Sequence, residues 1–429
     1  MLKNAILFDV EGGMLKDNSD VLIENGMVRE VGKVDYAEGD LRSIDCSGKF
    51  ALPGLFECHA HLAQLTSKDL QAKKQIMEDF GTSNDEELEK KVLRDFVAKG
   101  ITQVRDVGGP VKTLKDLKHR ISKGELLGPE IYYAGPMLEK SPLRWEEVNK
   151  MMPGFTVAVD SKEDAEEIIG EISDQGASLV KTFNRFDADV FKYLLELAGK
   201  HNLPVTHDPG TALFQSVPMD IAIDLGVRCI EHAKAPWPVV LKDDLKKEHD
   251  ALLHADPKEK KTFSQRVFSL GIDSVSSSKL EQLIDKMLKN EVFVCTTLHA
   301  LKQLKKLRSK KSDKDVMEKL EVVDEMQRFF TREMINRNVK ILIGQDGLIP
   351  QFTFDEMLYL NELGLSESEI IRGATIYPAQ WLGISKTTGS VSPGKKGDVL
   401  ILEKNPLEDI QNIQTACTVL LNGRVAFQK

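Results

Sequence analysis

The sequence predicts an α/β fold: a (β/α)8 TIM barrel that carries a small β-sandwich built from both ends of the chain. Three observations lead to this prediction. Helical and strand patterns alternate from about Phe56 to about Ile384, and the two ends of the chain show short strands around Asn-Gly turns. No Gly-x-Gly-x-x-Gly follows a predicted strand, which disfavours an open dinucleotide-binding sheet. We therefore place the sandwich in residues 1–55 and 385–429 and the barrel in residues 56–384.

The two chain ends share one β pattern. Val21–Val31 and Thr418–Phe427 each set apolar runs around an Asn-Gly pair, which favours the positive φ that tight hairpins need. The apolar stretch in GDVLILEKNP adds another short strand near the carboxyl end. These segments predict one small β-sandwich assembled from both chain ends.

Helix boundaries in the middle of the chain separate a series of short apolar strands. Ser83 with Glu86 predicts a capping box before a helix that Gly100 ends, and Ser161 with Asp164 predicts a second one. Strands are predicted in the segments ITQVRDV, SLVKTF, LPVTH, VRCIEH, VFVCTT and KILIGQD. Parallel strands joined by crossover helices at this chain length favour a closed barrel, in which reactive residues lie at the carboxyl ends of the strands.

Composition excludes several classes of protein. Hydrophobic residues make up 41% and charged residues 29% of the chain, as in an ordinary globular protein. The net charge of −9, with scattered Lys and Arg, argues against a nucleic-acid or membrane partner, and the basic run Leu304–Lys314 is interpreted as a solvated helix face. Five separated cysteines without Cys-x-x-Cys, and an N-terminus without a secretory apolar region, predict a cytoplasmic protein.

Residues that can bind a metal fall at the predicted strand ends. His59 and His61 occupy alternate positions of a strand, so their side chains project from one face close enough to hold one ion. His207, His232 and Asp346 lie at the ends of later strands. The histidines expected at the surface, on helices or loops, are His119, His201, His249 and His254. Imidazole and carboxylate groups at one edge of a barrel predict a divalent metal site.

Lys181 lies inside an otherwise apolar strand, with Leu179, Val180 and Phe183 nearby in the sequence. Desolvation there disfavours the ammonium form, and a neutral amine can react with carbon dioxide to give a carbamate, which is an anionic ligand with two oxygens. The alternative is a buried ion pair between Lys181 and a carboxylate such as that of Asp346. The histidines at neighbouring strand ends favour the carbamate.

As a set, the motifs of this chain resemble the amidohydrolase superfamily of metal-dependent hydrolases, within its prolidase-like and imidazolonepropionase-like group. The resemblance extends over nearly the full length. The segments that carry it are KFALPGLFECHAHL, GITQVRDVGGP, GPEIYYAGPML, SLVKTF, VTHDPG, IEHA, ILIGQDG, SPGKKGDVLIL and VLLNGRV. Phe56-Glu57 and Gln345 depart from the usual residues of the group, and the loop EKSPLRW lacks its Gly-Gly-His, which leaves the substrate open.

The resemblance implies a centre of two divalent metal ions bridged by a carboxylated lysine. The ligands it implies are His59, His61, Lys181 and Asp346 for one ion and His207 and His232 for the other. Zinc suits these ligands, and manganese or cobalt would also fit. The nucleophile would be a hydroxide shared by the two ions, and Asp346 would take its proton and pass it to the leaving amine.

The expected function is hydrolysis of an amide bond in a small molecule, such as a dipeptide or an N-acyl amino acid, by a homo-oligomeric enzyme. A lactone, ester or cyclic-amide hydrolase on the same site is the alternative. A deaminase is less favoured, because Gly210 stands three residues after His207, where deaminases carry a proton-shuttling Glu. An inactive scaffold is least favoured, because all six ligand positions are filled. The long segment Pro236–Asn290 is expected to add helices that roof the active site.

Overall fold

The structure is a computed structural model that describes residues 1–35, 42–66, 70–309 and 314–429. Residues 310–313, inside the basic run Leu304–Lys314, lie outside the described residues, so the solvated face proposed for that run stays a prediction. The chain divides into two compact units. The first unit comprises Met1–Arg105, Thr113–Tyr132 and Leu348–Lys429, and the second comprises Asp106–Lys112 and Tyr133–Gly347.

Short β-strands occur along the whole described chain. In order they are β1 (Leu2–Asp9), β2 (Met14–Glu24), β3 (Met27–Gly32), β4 (Ile44–Asp45), β5 (Phe50–Pro53), β6 (Leu55–Ala60), β7 (Ile101–Asp106), β8 (Glu130–Tyr133), β9 (Met137–Glu139), β10 (Thr156–Ala158), β11 (Val180–Phe183), β12 (Val205–Asp208), β13 (Cys229–Glu231), β14 (Phe293–Cys295), β15 (Lys340–Leu342), β16 (Val399–Leu402), β17 (Ala416–Leu421) and β18 (Arg424–Gln428).

Helices separate most strands of the middle region. They are α1 (Leu70–Asp79), α2 (Asp85–Ala98), α3 (Val111–Ser122), α4 (Glu146–Met151), α5 (Lys162–Asp174), α6 (Ala188–Lys200), α7 (Met219–Asp224), α8 (Asp243–Ala251), α9 (Pro257–Leu270), α10 (Ser277–Lys289), α11 (Leu298–Ser309), α12 (Lys314–Asn336), α13 (Pro350–Glu362), α14 (Glu367–Gly373) and α15 (Ile376–Trp381). Short 3-10 helices lie at Leu62–Thr66, Gly271–Ser274 and Ile410–Gln414. Within the described residues, none of the helices has the length and apolar character needed to cross a bilayer.

Strands from both chain ends combine in one sheet of the first unit. Its order is β18-β17-β16-β5-β1-β2-β3, with β4 paired to β1. The antiparallel pair β16–β5 joins the carboxyl-terminal strands to the amino-terminal ones. Both Asn-Gly turns have the positive φ expected of them, 51° and 82° at Asn25 and Gly26, and 49° and 73° at Asn422 and Gly423. The composite arrangement is thus present, while its boundaries at residues 55 and 385 stay a prediction.

The helix starts follow the predicted capping chemistry with one shift. Ser161 and Asp164 form the capping box of α5 as predicted. For α2, however, the capping residue is Asn84, whose side chain accepts a hydrogen bond from the Glu87 N–H at 2.9 Å. The predicted cap at Ser83 is therefore wrong by one residue. Both Ser83 and Asn84 are good cap residues followed by Glu three positions later, so the sequence alone is compatible with a helix start at either residue.

A seven-stranded parallel sheet forms the centre of the second unit, in the order β10-β9-β11-β12-β13-β14-β15. Lys181 of β11 pairs with Thr206 of β12, and His207 pairs with Ile230 of β13. Paired residues of parallel strands share a face, and successive residues alternate between faces. Lys181 and Thr206 therefore lie on one face of the sheet, whereas His207 lies on the other. Strands β6, β7 and β8, which lie mostly in the first unit, form a three-stranded sheet in that order.

A buried carboxylate beside the terminal sheet is expected to make stability depend on pH. Asp398 accepts hydrogen bonds from the Asn422 N–H at 2.6 Å and from Gln103 Nε2 at 2.9 Å. Burial, with a smaller contribution from the charge of Glu130, raises the pKa of Asp398 to about 6. The folded chain therefore keeps this proton between about pH 4 and pH 6, where an unfolded aspartate loses it. The resulting stabilisation is present below about pH 4 and is lost as the pH rises through about 6.

We expect Asp398→Asn to flatten this pH dependence. Asn keeps the shape and the acceptor for the Asn422 N–H but carries no proton that titrates here. Between pH 4.5 and pH 7 the free energy of unfolding of the natural protein should fall by roughly 2 kcal/mol relative to that of the variant. Urea denaturation at several pH values measures this difference. Parallel curves for the two proteins would contradict the assignment of the raised pKa to Asp398.

Candidate metal centre

The two histidines of the first barrel strand lie side by side. Strand β6 is buried along its length, and its side chains alternate, so His59 and the following His61 face the same side. Their ring centroids are 5.4 Å apart in an edge-to-face arrangement, and only 1% and 8% of the two residues is exposed. The structure thus brings this predicted pair together. Two imidazoles at this spacing are suited to bind one ion.

Glu57 fixes the strand that carries these histidines. Its Oε1 accepts a hydrogen bond from the backbone N–H of His59 at 2.7 Å, and its Oε2 accepts one from Thr353 Oγ1 of α13, also at 2.7 Å. Glu57 is fully buried, and a buried carboxylate needs such partners. The departure from the family at this position therefore has a structural role, which the sequence did not reveal.

Four residues at the strand ends of the second unit form what we call the strand-end cluster: Lys181, Asp208, His232 and Asp346. Asp208 Oδ2 lies 3.7 Å from Lys181 Nζ and 3.0 Å from His232 Nε2. A ring nitrogen of His232 and a carboxylate oxygen of Asp346 lie within 4.8 Å of each other. The cluster joins an imidazole, two carboxylates and an amine, a donor set that suits a divalent metal once the amine is a carbamate.

Positive backbone φ angles help to orient side chains in and beside the cluster. Within the second unit His232, Asp346 and Thr297 have positive φ values of 69°, 56° and 50°. Such φ is uncommon for residues other than glycine and costs about 1–3 kcal/mol each, so it persists where the surroundings enforce it, typically at functional sites. Here the His232 backbone N–H donates to the Cys295 carbonyl at 2.8 Å, and its Nδ1 lies 2.6 Å from Thr297 Oγ1. The imidazole is thereby held with Nε2 toward Asp208.

Asp208 is an anion inside the protein. Burial alone would raise the pKa of this carboxyl, but the charges of His232 and Lys181 and the hydrogen bond to His232 outweigh burial and hold the pKa well below its usual value. The other oxygen, Oδ1, accepts the Gly210 N–H at 2.8 Å. A carboxylate that stays ionised in a buried position is available as a metal ligand or as a counter-ion for Lys181.

His207 is not part of this cluster. Its Nδ1 lies 2.9 Å from Thr182 Oγ1, and its Nε2 lies 2.9 Å from the carbonyl oxygen of Val217. Since a carbonyl can only accept, Nε2 carries the proton and Nδ1 accepts from the hydroxyl. Burial lowers the pKa of His207 to about 4, so the ring is neutral, and it packs edge-to-face on Phe191 at 5.1 Å.

This arrangement does not favour the predicted role of His207 as a metal ligand. Its side chain lies on the face of the sheet opposite Lys181, and its Nε2 is directed at a backbone carbonyl rather than at another potential metal ligand. The physical reason is the alternation of side chains along β12, which sends His207 and Asp208 to opposite faces. The sequence predicted the histidine as the ligand here and did not distinguish it from its neighbour Asp208 by direction. The register of β11 against β12 was the signal needed to choose between them.

The long segment between β13 and β14 contributes α8, α9 and α10. His249 of α8 stacks on Phe214 at 5.0 Å, and its Nε2 lies 3.1 Å from the Leu213 carbonyl oxygen. Phe263 of α9 also meets Phe214, at 5.8 Å. Since Leu213 and Phe214 belong to the loop that leaves the carboxyl end of β12, these contacts lie on the side where a roof is expected. His249 itself is buried, which corrects the surface position predicted for it.

Part of the sequence matches a known family and known enzymes. The amidohydrolase family model matches residues 247–425. A dihydroorotase of Trichlorobacter lovleyi is 39% identical over 62 residues, which span 14% of this chain and 14% of that protein. An imidazolonepropionase of Vibrio cholerae is 32% identical over 59 residues, 14% of this chain and 15% of that protein. The chain thus aligns with only about a seventh of the length of these curated relatives.

Solved structures match over the whole chain at low identity. A Xaa-Pro dipeptidase with bound methionine in the active site has a TM-score of 0.74 at 19% identity, covering 100% of this chain and 99% of that one. The ochratoxinase of A. niger has a TM-score of 0.73 at 18% identity, covering 100% and 95%. With the parallel strands, the intervening helices and the separate terminal sheet, these matches confirm the TIM-barrel fold.

The fold is therefore a TIM barrel with a separate terminal sheet. The match of the amidohydrolase family model to residues 247–425 confirms the resemblance that the motifs predicted. The family match and the hydrolases among the structural neighbours support the prediction of a hydrolase.

Proposed function

We propose that this protein is a metal-dependent amidohydrolase that cleaves an amide bond of a small molecule, with dipeptides and N-acyl amino acids as the substrate class. The observation that carries the proposal is the strand-end cluster, in which one buried carboxylate oxygen lies close to both Lys181 and His232. A buried amine, an imidazole and two carboxylates at strand ends of a barrel are poorly explained as packing. Structural similarity to a Xaa-Pro dipeptidase supports the substrate class.

The donor set of the cluster fits divalent metal ions. Lys181 as a carbamate, His232 and Asp346 would bind metal, with His59 and His61 as further nitrogen ligands; zinc suits them, and manganese or cobalt would fit as well. Bound ions would polarise the scissile carbonyl and make water acidic enough to act as a nucleophile at neutral pH. A cytoplasmic location and a homo-oligomeric state belong to the proposal as well.

The protein's own residues would move the protons. Asp346 would accept the proton of the attacking water and then donate it to the leaving amine, which cannot depart as a free anion. Thr297 Oγ1 lies 2.6 Å from Nδ1 of His232 and fixes its orientation, and Nε2, 3.0 Å from Asp208 Oδ2, is the nitrogen that would bind the metal in place of its hydrogen bond to that carboxylate. Glu57 accepts a hydrogen bond from the backbone N–H of His59 and so fixes the position of that residue.

Metal content and a substrate screen test the proposal together. We expect the purified protein to retain about two equivalents of zinc or manganese per chain by elemental analysis. The loaded protein should hydrolyse members of a dipeptide and N-acyl amino-acid library, lose that activity on chelation, and regain it when metal is added. Esters, lactones, cyclic amides and aminopurines in the same screen distinguish the alternative hydrolases and a deaminase.

The matched control is His254→Ala, because His254 is exposed and lies outside the cluster. This variant should keep the metal content and activity of the natural protein. Protein that binds none of these metals, and whose behaviour is unchanged when they are added, would instead indicate a barrel that serves as a scaffold.

A further inference from the structure

We propose that Asp208 supplies the metal-binding side chain at the end of β12, where the resemblance placed His207, and that His207 is a structural residue. The inference rests on the proposed function, because it concerns which residues of this chain would bind the metal. It would give the centre an oxygen donor and a negative charge in place of a neutral imidazole.

Strand register provides the first argument. Lys181 pairs with Thr206 in the parallel ladder between β11 and β12, so these two residues share a face. Asp208 lies two residues beyond Thr206 and returns to that face, whereas His207 points away from it. A one-residue change of register would place His207 instead of Asp208 on the face of Lys181. The ladder keeps its register to the strand end, however, because Phe183 pairs with Asp208.

Distances provide the second argument. Asp208 Oδ2 lies 3.0 Å from His232 Nε2, close to the separation of two ligands on one ion, and 3.7 Å from Lys181 Nζ. Asp208 Oδ1 is held by the Gly210 N–H, which leaves Oδ2 directed at the other two groups. A ligand must be oriented by such supporting contacts before metal binding is strong.

The surroundings of His207 provide the third argument. Thr182 Oγ1 and the Val217 carbonyl oxygen each lie 2.9 Å from a ring nitrogen. For His207 to bind a metal, the ring would have to give up both hydrogen bonds and its packing on Phe191 and cross to the other face of the sheet. The Val217 carbonyl would then lose this donor, at a cost of about 1–3 kcal/mol, while Thr182 Oγ1 would keep its hydrogen bond to the Thr206 carbonyl at 3.3 Å. Asp208 needs no such rearrangement.

Metal binding to three variants tests the inference without using activity. Asp208→Asn keeps the shape but removes the charge. Asp208→His places an imidazole on the face of the sheet that carries Lys181, and His207→Gln keeps a donor and an acceptor on the opposite face. Affinity for Zn2+ and Mn2+ is measured by competition with a chromophoric chelator, and equivalents bound by elemental analysis after dialysis. Circular dichroism and thermal melting establish that each variant is folded.

We expect Asp208→Asn to weaken Zn2+ binding at least tenfold, and Asp208→His to bind Zn2+ within about tenfold of the natural protein. His207→Gln should change Zn2+ affinity less than about threefold while lowering the melting temperature. Natural affinity in Asp208→Asn, or a tenfold loss in folded His207→Gln, would overturn the inference and leave the proposed function standing. If His207→Gln does not fold, the two Asp208 variants decide. A natural protein that binds neither ion overturns the proposed function itself.

Discussion

Asp346→Asn is expected to lower kcat/KM for amide substrates by about 10³-fold while leaving the fold intact. Asn has the shape of Asp and tolerates the positive φ of 56° at this position, so the backbone should keep its conformation. What the variant loses is a group that can accept and donate a proton, and general acid–base catalysis typically contributes 10²–10⁴-fold. The measurement is kcat/KM on the best amide found in the screen, at fixed metal loading.

Substrates with different leaving groups distinguish the two proton transfers proposed for Asp346. An amine must be protonated to depart, whereas a nitrophenolate departs without help, so an activated ester should lose less activity than the amide in the same variant. Asp189→Asn is the matched control, because Asp189 is exposed on α6 and outside the cluster. A folded, metal-loaded Asp346→Asn protein with more than a tenth of the natural amide activity would remove Asp346 from the proton path.

The fold was predictable because its signals are local. The Asn-Gly turns require positive φ, and both have it. Ser161 and Asp164 satisfy each other within one helical turn, so the start of α5 could be predicted from four residues. Alternation of such helices with apolar strands then allows few architectures. The cap of α2 was missed by one position because Ser83 and Asn84 carry the same chemical signal.

The site was predictable only in part, because side-chain direction depends on strand register. Lys181 was correctly placed in a buried strand, since its apolar neighbours require burial whatever the register. The choice between His207 and Asp208 depends on how β11 pairs with β12, and a shift of one residue reverses it. Likewise, the partner suggested for Lys181 was Asp346, whereas Asp208 Oδ2 lies 3.7 Å from its amine.

Lys181 carries the second large expected effect. The ammonium first loses one proton; the amine nitrogen then attacks the carbon of CO2 and loses another, giving a carbamate with a single negative charge. That change replaces the cation beside Asp208 by an anionic donor. Lys181→Ala cannot form the carbamate, so we expect kcat/KM and bound metal to fall together, with activity reduced by about 10²- to 10³-fold.

Rescue by small carboxylates distinguishes a carbamate from an ordinary buried ion pair. Truncation to Ala leaves space for acetate or propionate, whose two oxygens can take the place of the carbamate, and either should restore at least a tenth of the lost activity at high concentration. In the natural protein, ¹³C-bicarbonate should give a carbamate signal by NMR. Lys192→Ala, on the exposed surface of α6, is the control and should show neither effect.

A buried ion pair between Lys181 and Asp208, without a carbamate, predicts a different result. If Lys181 instead remains an ammonium paired with Asp208, its removal leaves a buried carboxylate without its ammonium partner, at a cost of about 3–5 kcal/mol in stability. Carboxylates would then rescue nothing, because the site would gain a third negative group where it had lost a positive one. A large fall in melting temperature without rescue or a carbamate signal would therefore rule out the two-metal centre bridged by Lys181.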